Sequence, residues 1–209
     1  MAPPAQTGRR RGRRQGEPVS RDAVLRAAKR RFATEGYEKT TLRAIADDAN
    51  VDPSMVLYLF GSKAELFRES LRLIVDPDAL VAAVAEGDDD IGTRMLRTYL
   101  AVWEDADTAA SMVAMLQSAT SNSDAHEAFR AFMQNYVLTA VSGALGGGEQ
   151  ARLRAMLAAT NLVGTAMLRY VMRIPPLASL ATDDVVALVA PSVTRYLTAP
   201  ADELGLPTL

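Results

Sequence analysis

The 209-residue chain is predicted to fold as an all-α protein, and three features of the sequence point to this class. Apolar residues make up 49% of the chain and aromatic residues only 6%, a balance that favours packed helices over sheets. Apolar positions recur at helical spacing through most of the chain, and no stretch alternates as a half-buried strand does. We expect about nine or ten helices, divided between a small N-terminal unit and a larger remainder.

The net charge of −2 hides a separation of charge along the chain. Residues 1–75 carry 15 Lys and Arg against 9 Asp and Glu, whereas residues 76–209 carry 8 against 16. A basic N-terminal third on an acidic body is typical of a protein that binds nucleic acid with one end. Ordinary solubility charge is the alternative explanation.

Residues 1–19 are predicted to form a disordered arm, because proline, glycine and arginine dominate them. Next to a nucleic-acid-binding unit, such an arm could neutralise phosphates or enter a minor groove. A solubilising tail is the alternative. The arginines of the arm are Arg9, Arg10, Arg11, Arg13 and Arg14.

The first helix is expected to run from Ser20, as its N-cap, to Glu35, with Gly36 as its C-terminal glycine. Tyr37 is expected to fill the small core behind the next two helices. The inner face of the first helix is formed by Val24, Leu25, Ala28 and Phe32. Its outer face, toward solvent or phosphate, is expected to carry Arg26, Lys29, Arg30 and Arg31.

The stretch that follows is dense in start and stop signals and predicts two short helices joined by a turn. Thr41 can cap the first of them, and Asn50 tolerates the left-handed conformation that ends helices. Asp52 and Pro53 restart the chain as N-cap and first helical residue, and Gly61 ends the second helix.

Two helices this short are not stable in isolation and must pack on a support. Ser62 and Glu65 form a capping box that opens a fourth helix, expected from Lys63 to Val75. The arrangement predicts a helix-turn-helix, a motif that sets its second helix into the major groove of double-stranded DNA.

The rest of the chain is expected to be helical as well. Asp76 and Pro77 open a helix that Gly87 ends, and Thr182 is expected to cap a last helix that Pro191 kinks. Between these two, helices are predicted over residues 91–103, 108–120, 123–145 and 149–172.

The sequence RRFATEGYEKTTLRAIADDANVDPSMVLYLFGSKAELF, residues 30–67, resembles the TetR family of bacterial transcription regulators. The Phe-x-x-x-Gly-Tyr stretch, the Thr-Thr pair, the turn and the Phe-Gly-Ser-Lys end all fall at the family's spacing. The resemblance implies a helix-turn-helix DNA-binding domain at 20–66, after the arm at 1–19. It also implies a helical ligand-binding and dimerisation domain at 67–209.

The resemblance carries DNA-contact roles onto particular residues of this chain. Thr41 and Lys63 match positions that hold phosphates at helix N-termini, a contact that sets register. Arg43 matches a position near the groove. It could read guanine or hold a phosphate there, and the sequence favours neither role over the other.

Three further residues, Pro53, Ser54 and Met55, match positions that face base edges. Short side chains at these positions would let the helix approach closely, and Met55 could touch a thymine methyl group.

The chain also departs from the family's pattern. Asn50 stands where glycine is usual, Leu57 where tyrosine is usual, and Leu59 where histidine or tyrosine often occurs. Tyr58 is expected to replace their phosphate contacts from a neighbouring position.

For the acidic body, the resemblance implies a homodimer built from two long C-terminal helices, here 123–145 and 149–172, and a small-molecule cavity. Methionine suits a cavity that adapts to ligand shape. Asn161 and Thr165 are polar residues within an apolar run, and a buried polar group needs a partner in the protein or in a ligand. Ordinary core packing is the alternative for each residue. The candidate lining residues are Trp103, Met112, Met115, Phe129, Met133, Asn161 and Thr165.

The composition argues against catalysis. The chain has no cysteine, and its one histidine, His126, leaves no histidine cluster for zinc. The glycines at 146–148 lack the Lys-Ser/Thr pair of a phosphate-binding loop. No enzyme activity, cofactor or metal site is therefore expected. No apolar run reaches the ~18 residues of a membrane span, and a cytoplasmic location is expected.

These features together predict a ligand-responsive repressor that binds a near-palindromic operator as a homodimer. Its expected partners are double-stranded DNA, a second copy of itself and an unidentified small molecule. A non-specific architectural DNA-binding protein, driven by the arginine-rich arm, is the alternative.

Overall fold

A computed structural model describes residues 21–85, 87 and 90–208, and all regular structure within them is helical, as the sequence predicts. The arm at 1–19, with its five arginines, and the expected cap Ser20 lie outside the described residues. The α-helices are α1 (Arg21–Lys39), α2 (Leu42–Asp48), α3 (Pro53–Phe60), α4 (Lys63–Leu71), α5 (Pro77–Val84), α6 (Ile91–Glu104), α7 (Ala106–Ser121), α8 (Ser123–Phe132), α9 (Thr139–Ala144), α10 (Gly148–Ala166), α11 (Thr182–Thr198) and α12 (Ala201–Leu204).

The helix-turn-helix is formed by α2 and α3, and its ends are set by the predicted local signals. The Oγ1 of Thr41 accepts the Ala44 N–H at 3.1 Å. The Oδ1 of Asp52 accepts the Ser54 N–H at 2.8 Å. Asn50 lies between the helices with a φ of 54°, the left-handed conformation expected of it.

The first helix is longer than predicted. Gly36 leaves helical geometry with a φ of 75°, as expected of a terminal glycine, but the helix resumes and ends only at Lys39. This extra turn brings Tyr37 onto the aromatic core. The ring centroids of Phe32 and Phe67 lie 5.8 and 5.2 Å from that of Tyr37, and all three side chains are buried. These rings support the helix-turn-helix from behind.

Helix α4 connects this N-terminal unit to the rest of the chain. Its N-cap Ser62 accepts the Glu65 N–H at 3.1 Å, which is half of the predicted capping box. It packs on α1 on one side and on α8 on the other. The helix ends at Leu71, before the predicted Val75, and the chain continues in tightened turns.

The larger remainder is a bundle in which α6 packs on α11, and α10 packs on α9 and α11. The two helices α6 and α11 approach closely at Gly92, where an added Cβ would collide with the backbone of Ala190 and Thr194. The neighbouring α7 packs on both α1 and α8, and so joins the bundle to the N-terminal unit. None of the described helices is long and apolar enough to cross a membrane.

Two helical expectations for this part need correction. The helix predicted over 123–145 is α8 and α9 joined by a π-helical segment, Met133–Leu138. Thr182 does not cap α11, because it is the first helical residue and its hydroxyl donates to Glu104 instead. Pro191 lies inside α11. A second π-helical segment, Met167–Val171, follows α10, and a 3₁₀ turn, Leu177–Ser179, precedes α11.

Candidate DNA-binding surface and ligand cavity

Helix α3 presents one face to its support and the other to solvent. Val56 and Phe60 are buried and hold the helix in place. Tyr58 is 84% exposed and Leu57 is 49% exposed, so the helix carries apolar and aromatic groups outward. These exposed side chains lie on the second helix of the helix-turn-helix, the helix that such a motif sets into the major groove.

The three residues matched to base edges lie at the start of α3, but they are not equally free. Pro53 and Met55 are half-buried, whereas Ser54 is exposed. The Ser54 hydroxyl donates to Oδ1 of Asp52 at 2.6 Å and so takes part in the helix cap. To contact a base with its proton, Ser54 would have to exchange this hydrogen bond.

Thr41 and Arg43 are both exposed at the N-terminal end of α2. The Thr41 oxygen accepts the capping hydrogen bond, which leaves its hydroxyl proton for an incoming phosphate. A phosphate at this point would also meet the free N–H groups of the helix terminus.

Lys63 begins α4 and folds back toward the protein. Its Nζ lies 4.3 Å from the centroid of the Tyr37 ring and donates to the Glu38 carbonyl oxygen at 3.4 Å. Burial lowers the pKa of this amine, with Glu38 and Asp124 acting in the opposite direction. A phosphate contact by Lys63 therefore requires the ammonium to turn away from the tyrosine.

Arg31 has a role that the sequence did not indicate. Its guanidinium donates to both carboxylate oxygens of Asp48, at 2.6 and 2.7 Å, and to Glu35 at 2.6 Å. The hydrogen bond to Asp48 is the main reason that the pKa of Arg31 is raised. Arg31 therefore ties α1 to the end of α2 instead of facing phosphate.

An apolar cavity of about 270 Å³ lies in the larger bundle. Four predicted lining residues border it: Trp103, Met112, Phe129 and Met133. The other three predicted residues do not line the cavity. Met115 is fully buried outside the cavity wall, and Thr165 is buried elsewhere on α10. The Asn161 amide donates to the Leu157 carbonyl of its own helix at 3.1 Å.

The wall of the cavity carries no charged side chain among the described residues. Among the described residues that line it, Tyr99 and Trp103 are the two whose side chains carry an oxygen or nitrogen atom. Burial raises the pKa of Tyr99 to about 12. The Trp103 side chain lowers the pKa of Tyr99 by a smaller amount, although its Nε1 does not reach hydrogen-bond geometry. The phenol is therefore neutral at physiological pH.

Comparison with known families matches both parts of the chain. The model described as "Bacterial regulatory proteins, tetR family" matches residues 24–70. The model described as "Tetracyclin repressor-like, C-terminal domain" matches residues 89–197, more than half of the chain. The chain belongs to the TetR family of bacterial transcription regulators.

Solved structures with the same fold include one TetR-family regulator that is clearly similar in sequence. A regulator from Streptomyces coelicolor is 37% identical, with a TM-score of 0.64, and the match covers 89% of this chain and 98% of that chain. The multidrug binding protein EbrR, solved with imidazole, is 18% identical over 88% of this chain and 93% of that chain, with a TM-score of 0.59. SmeT, solved with triclosan, is 20% identical over 80% and 90%, with a TM-score of 0.55. Comparison with curated proteins finds no match.

Membership of the TetR family confirms the predicted DNA-binding regulator and the expectation that the chain is not an enzyme. It also favours this prediction over the architectural alternative, since the family acts through its helix-turn-helix.

The cavity of this TetR-family chain reaches the helix that follows the helix-turn-helix, a feature that the sequence analysis missed. Leu71, the last residue of α4, and Val75 both line the wall. The π-helical segment lines it as well, through Met133, Val137 and Leu138.

The same π-helical segment also contacts α4 directly, through Tyr136. The Tyr136 hydroxyl donates to Oε1 of Glu69 at 3.4 Å. The guanidinium groups of Arg68 and Arg72 lie 5.5 and 5.4 Å from the centre of the Tyr136 ring. One segment therefore touches both the cavity and the helix that leads to the DNA-binding surface.

Large apolar side chains are exposed on the outer side of the bundle. Leu188 of α11 is 67% exposed and Met156 of α10 is 46% exposed. Val163 of α10 is 40% exposed and also borders the cavity. The apolar residues of 123–145, in contrast, are mostly buried or half-buried within the protomer, with Phe132, Val137 and Leu138 among the buried ones. Little apolar surface of 123–145 is therefore left for the pairing expected there.

Proposed function

We propose that the protein is a repressor whose operator affinity is lowered by a small molecule bound in the apolar cavity. The observation that carries this proposal is the position of Leu71 and Val75 in the cavity wall. They lie at and just beyond the end of α4, a helix that begins at Lys63, directly after the recognition helix ends at Phe60. A ligand that displaces this wall acts on the element that supports α3.

In this proposal, α3 enters the major groove and reads bases through Pro53, Ser54 and Met55. Thr41 and Lys63 hold phosphates on either side, where such contacts set the register of the helix on the duplex. The boundary between the DNA-binding part, 20–66, and the ligand-binding part, 67–209, then falls within α4. Arg43 and Tyr58 add contacts from exposed positions on α2 and α3, and the arginine-rich arm adds phosphate contacts.

We further propose a homodimer that pairs α10 and α11 of two protomers as a four-helix interface. The exposed apolar side chains of Met156 and Leu188, with Val163 further along α10, support this choice of surface, since burying exposed apolar side chains favours association. The dimer sets the two recognition helices roughly 34 Å apart, on successive turns of a near-palindromic operator.

Ligand response follows as a shift between two conformers of this dimer. A ligand lowers operator affinity only if it binds more tightly to the conformer with the wrong spacing of recognition helices. Relatives show that the fold takes small molecules, since EbrR and SmeT are solved with imidazole and triclosan. The cavity of this chain, with α4 in its wall, supports the same arrangement.

The test begins with the operator. Selection from random DNA is expected to return a near-palindrome with half-sites about one helical turn apart. Leu188→Glu is expected to give a monomer by sedimentation and to abolish operator binding, because a charge would be buried at the interface. Ala101→Glu, which adds the same charge at an exposed position of α6, is the control and should remain dimeric. A dimeric Leu188→Glu variant would rule out this interface, and selected sites without symmetry would rule out the docking.

A further inference from the structure

We propose that the recognition helix α3 reads its operator through apolar contacts with thymine methyl groups, and that Leu57 makes the main contact. This inference rests on the proposed docking of α3 in the major groove and names the feature of the bases that the helix recognises.

The side chains of α3 lack the groups that usually identify a base pair by paired hydrogen bonds. Arginine or lysine makes such contacts to guanine, asparagine or glutamine to adenine, and a carboxylate accepts from cytosine. Helix α3 has the sequence PSMVLYLF and contains none of these residue types. Side-chain hydrogen bonds from α3 to base edges are therefore limited to the hydroxyl groups of Ser54 and Tyr58.

Neither hydroxyl is well placed for specific recognition. The Ser54 hydroxyl donates to Oδ1 of Asp52 at 2.6 Å, and the same oxygen accepts the Ser54 N–H at 2.8 Å. The Tyr58 side chain is 84% exposed, so little of the protein surface holds its hydroxyl in one position for a directional hydrogen bond. The capacity of α3 to recognise bases by hydrogen bonds is therefore small.

Leu57 lies on the face of α3 that points away from the protein. Val56 and Phe60 are buried on the side that packs on the supporting helices. Leu57 follows Pro53 by four residues and Ser54 by three, so it lies one turn beyond them on the same face. Its side chain is 49% exposed. A helix-turn-helix sets this face against base edges in the major groove, where Leu57 presents a branched apolar group.

Thymine is the base that suits an apolar partner. Its C5-methyl group is an apolar feature of the major-groove edge, and cytosine lacks it. Contact with leucine removes this methyl group and part of the exposed side chain from water. Burial of one such group is expected to favour thymine about fourfold, and two half-sites raise this to about fifteenfold. Pro53 and Met55, half-buried at the start of α3, add apolar surface of the same kind.

The test replaces thymines of the selected operator with deoxyuridine, which removes only the 5-methyl group. Binding of the full chain is measured by fluorescence anisotropy, one symmetric pair of positions at a time. At the contacted thymine, substitution in both half-sites is expected to lower affinity about fifteenfold.

A second substitution separates methyl contact from hydrogen bonding. It places 5-methylcytosine, paired with guanine, at the contacted position. This pair restores the methyl group but changes the hydrogen-bonding groups, so it is expected to bind about fifteenfold more tightly than unmethylated cytosine. Both operator substitutions use the parent chain and do not depend on the folding of a variant.

Leu57→Ala assigns the contact to this residue. The ratio of affinities for thymine and uracil operators is expected to fall from about fifteen to near one. Leu73→Ala is the matched control, because it removes the same atoms from another exposed leucine, outside α3, and should keep the ratio. Since each ratio is measured within one variant, a general loss of helix stability does not affect the comparison.

Several outcomes overturn the inference. Uracil operators that bind like the parent operator at every position would exclude methyl recognition, and so would 5-methylcytosine that binds no better than cytosine. An effect of uracil on DNA shape alone would survive Leu57→Ala. A guanine preference that Arg43→Ala removes, without any effect of uracil, would assign base recognition to α2 instead.

The proposed docking fails by a different result. Selected sites without symmetry disprove the docking itself. A symmetric operator on which uracil has no effect disproves only the methyl recognition and leaves the repressor standing.

Discussion

Replacing Lys63 with alanine tests whether this lysine holds a phosphate in the operator complex. A homodimer carries two copies of Lys63, and each phosphate contact contributes about 0.9 to the dependence of log affinity on log salt. The variant is therefore expected to lower the slope by about 1.8. Over a fourfold rise in salt, this difference amounts to about a twelvefold smaller loss of affinity than in the parent chain.

The structure qualifies this prediction in one respect. The Lys63 ammonium lies 4.3 Å from the Tyr37 ring centre, and that interaction is worth about 0.5–1 kcal/mol at a partly exposed site. When Lys63 turns toward a phosphate, it loses this interaction with Tyr37. Lys63→Ala should therefore lose less operator affinity at low salt than the change in the salt slope alone suggests. The salt slope is the sharper measurement because it counts phosphate contacts directly.

The assay is fluorescence anisotropy of a labelled operator at several salt concentrations. Lys29→Ala is the matched control, since Lys29 faces the Leu73 carbonyl at 3.4 Å and acts electrostatically on Asp105 of the bundle. It removes the same charge at a distance from the recognition helix and should leave the slope unchanged. Equal slopes for Lys63→Ala and the parent, or an equal fall in Lys29→Ala, would refute the assigned role.

Three further predictions concern stability and coupling. Gly92→Ala is expected to destabilise the fold by about 1–3 kcal/mol in urea denaturation, since its Cβ would collide with the backbone of α11. Gly143→Ala, whose Cβ meets nothing within 4 Å, should be neutral or stabilising, and similar losses in both would contradict the packing argument. The pKa of Asp90 is lowered to about 2, chiefly by its hydrogen bond from Thr194, so its stabilising contribution should be complete above about pH 4 and lost as pH falls toward 2. Asp90→Asn should flatten the acid limb of the unfolding midpoint against pH, and an unchanged limb counts against this cause. Tyr136→Phe removes the hydrogen bond to α4 and should weaken the effect of ligand on operator affinity by up to about tenfold, while fluorescence titration shows ligand binding unchanged. An unaltered ligand effect in that variant would exclude the tyrosine from the coupling.

The sequence predicted the helix-turn-helix well because its signals are local. The caps at Thr41, Asp52 and Ser62 each close a hydrogen bond to a residue two or three positions away. Such contacts depend on residue type and spacing, which a sequence shows directly. The cap expected at Thr182 failed because its hydroxyl found Glu104, a partner 78 residues away that no local pattern indicates.

The cavity was predicted only in part, for a related reason. Helical spacing shows which residues share a face, but not which buried face turns toward a void and which toward packed core. Met112 and Met115 share one helix, yet only the first lines the cavity. Arg31 illustrates the same limit on the surface, since its partner Asp48 lies on another helix and spacing placed the arginine toward solvent.

The small cavity constrains how the ligand can act. A hundredfold loss of operator affinity requires the ligand to prefer the released conformer by about 2.7 kcal/mol. A ligand of on the order of ten atoms that gains between ~0.3 and ~1.5 kcal/mol per atom gains about 3–15 kcal/mol in total. At least about a fifth of that binding energy must then be lost in the DNA-bound conformer, so the cavity must change shape there. Leu71 of α4 and the π-helical segment both line the cavity, and Tyr136 of that segment donates to Glu69 of α4, so we propose that these elements move when the cavity changes shape. A ligand with equal affinity for the cavity in both conformers would have no effect on DNA binding, however tightly it bound.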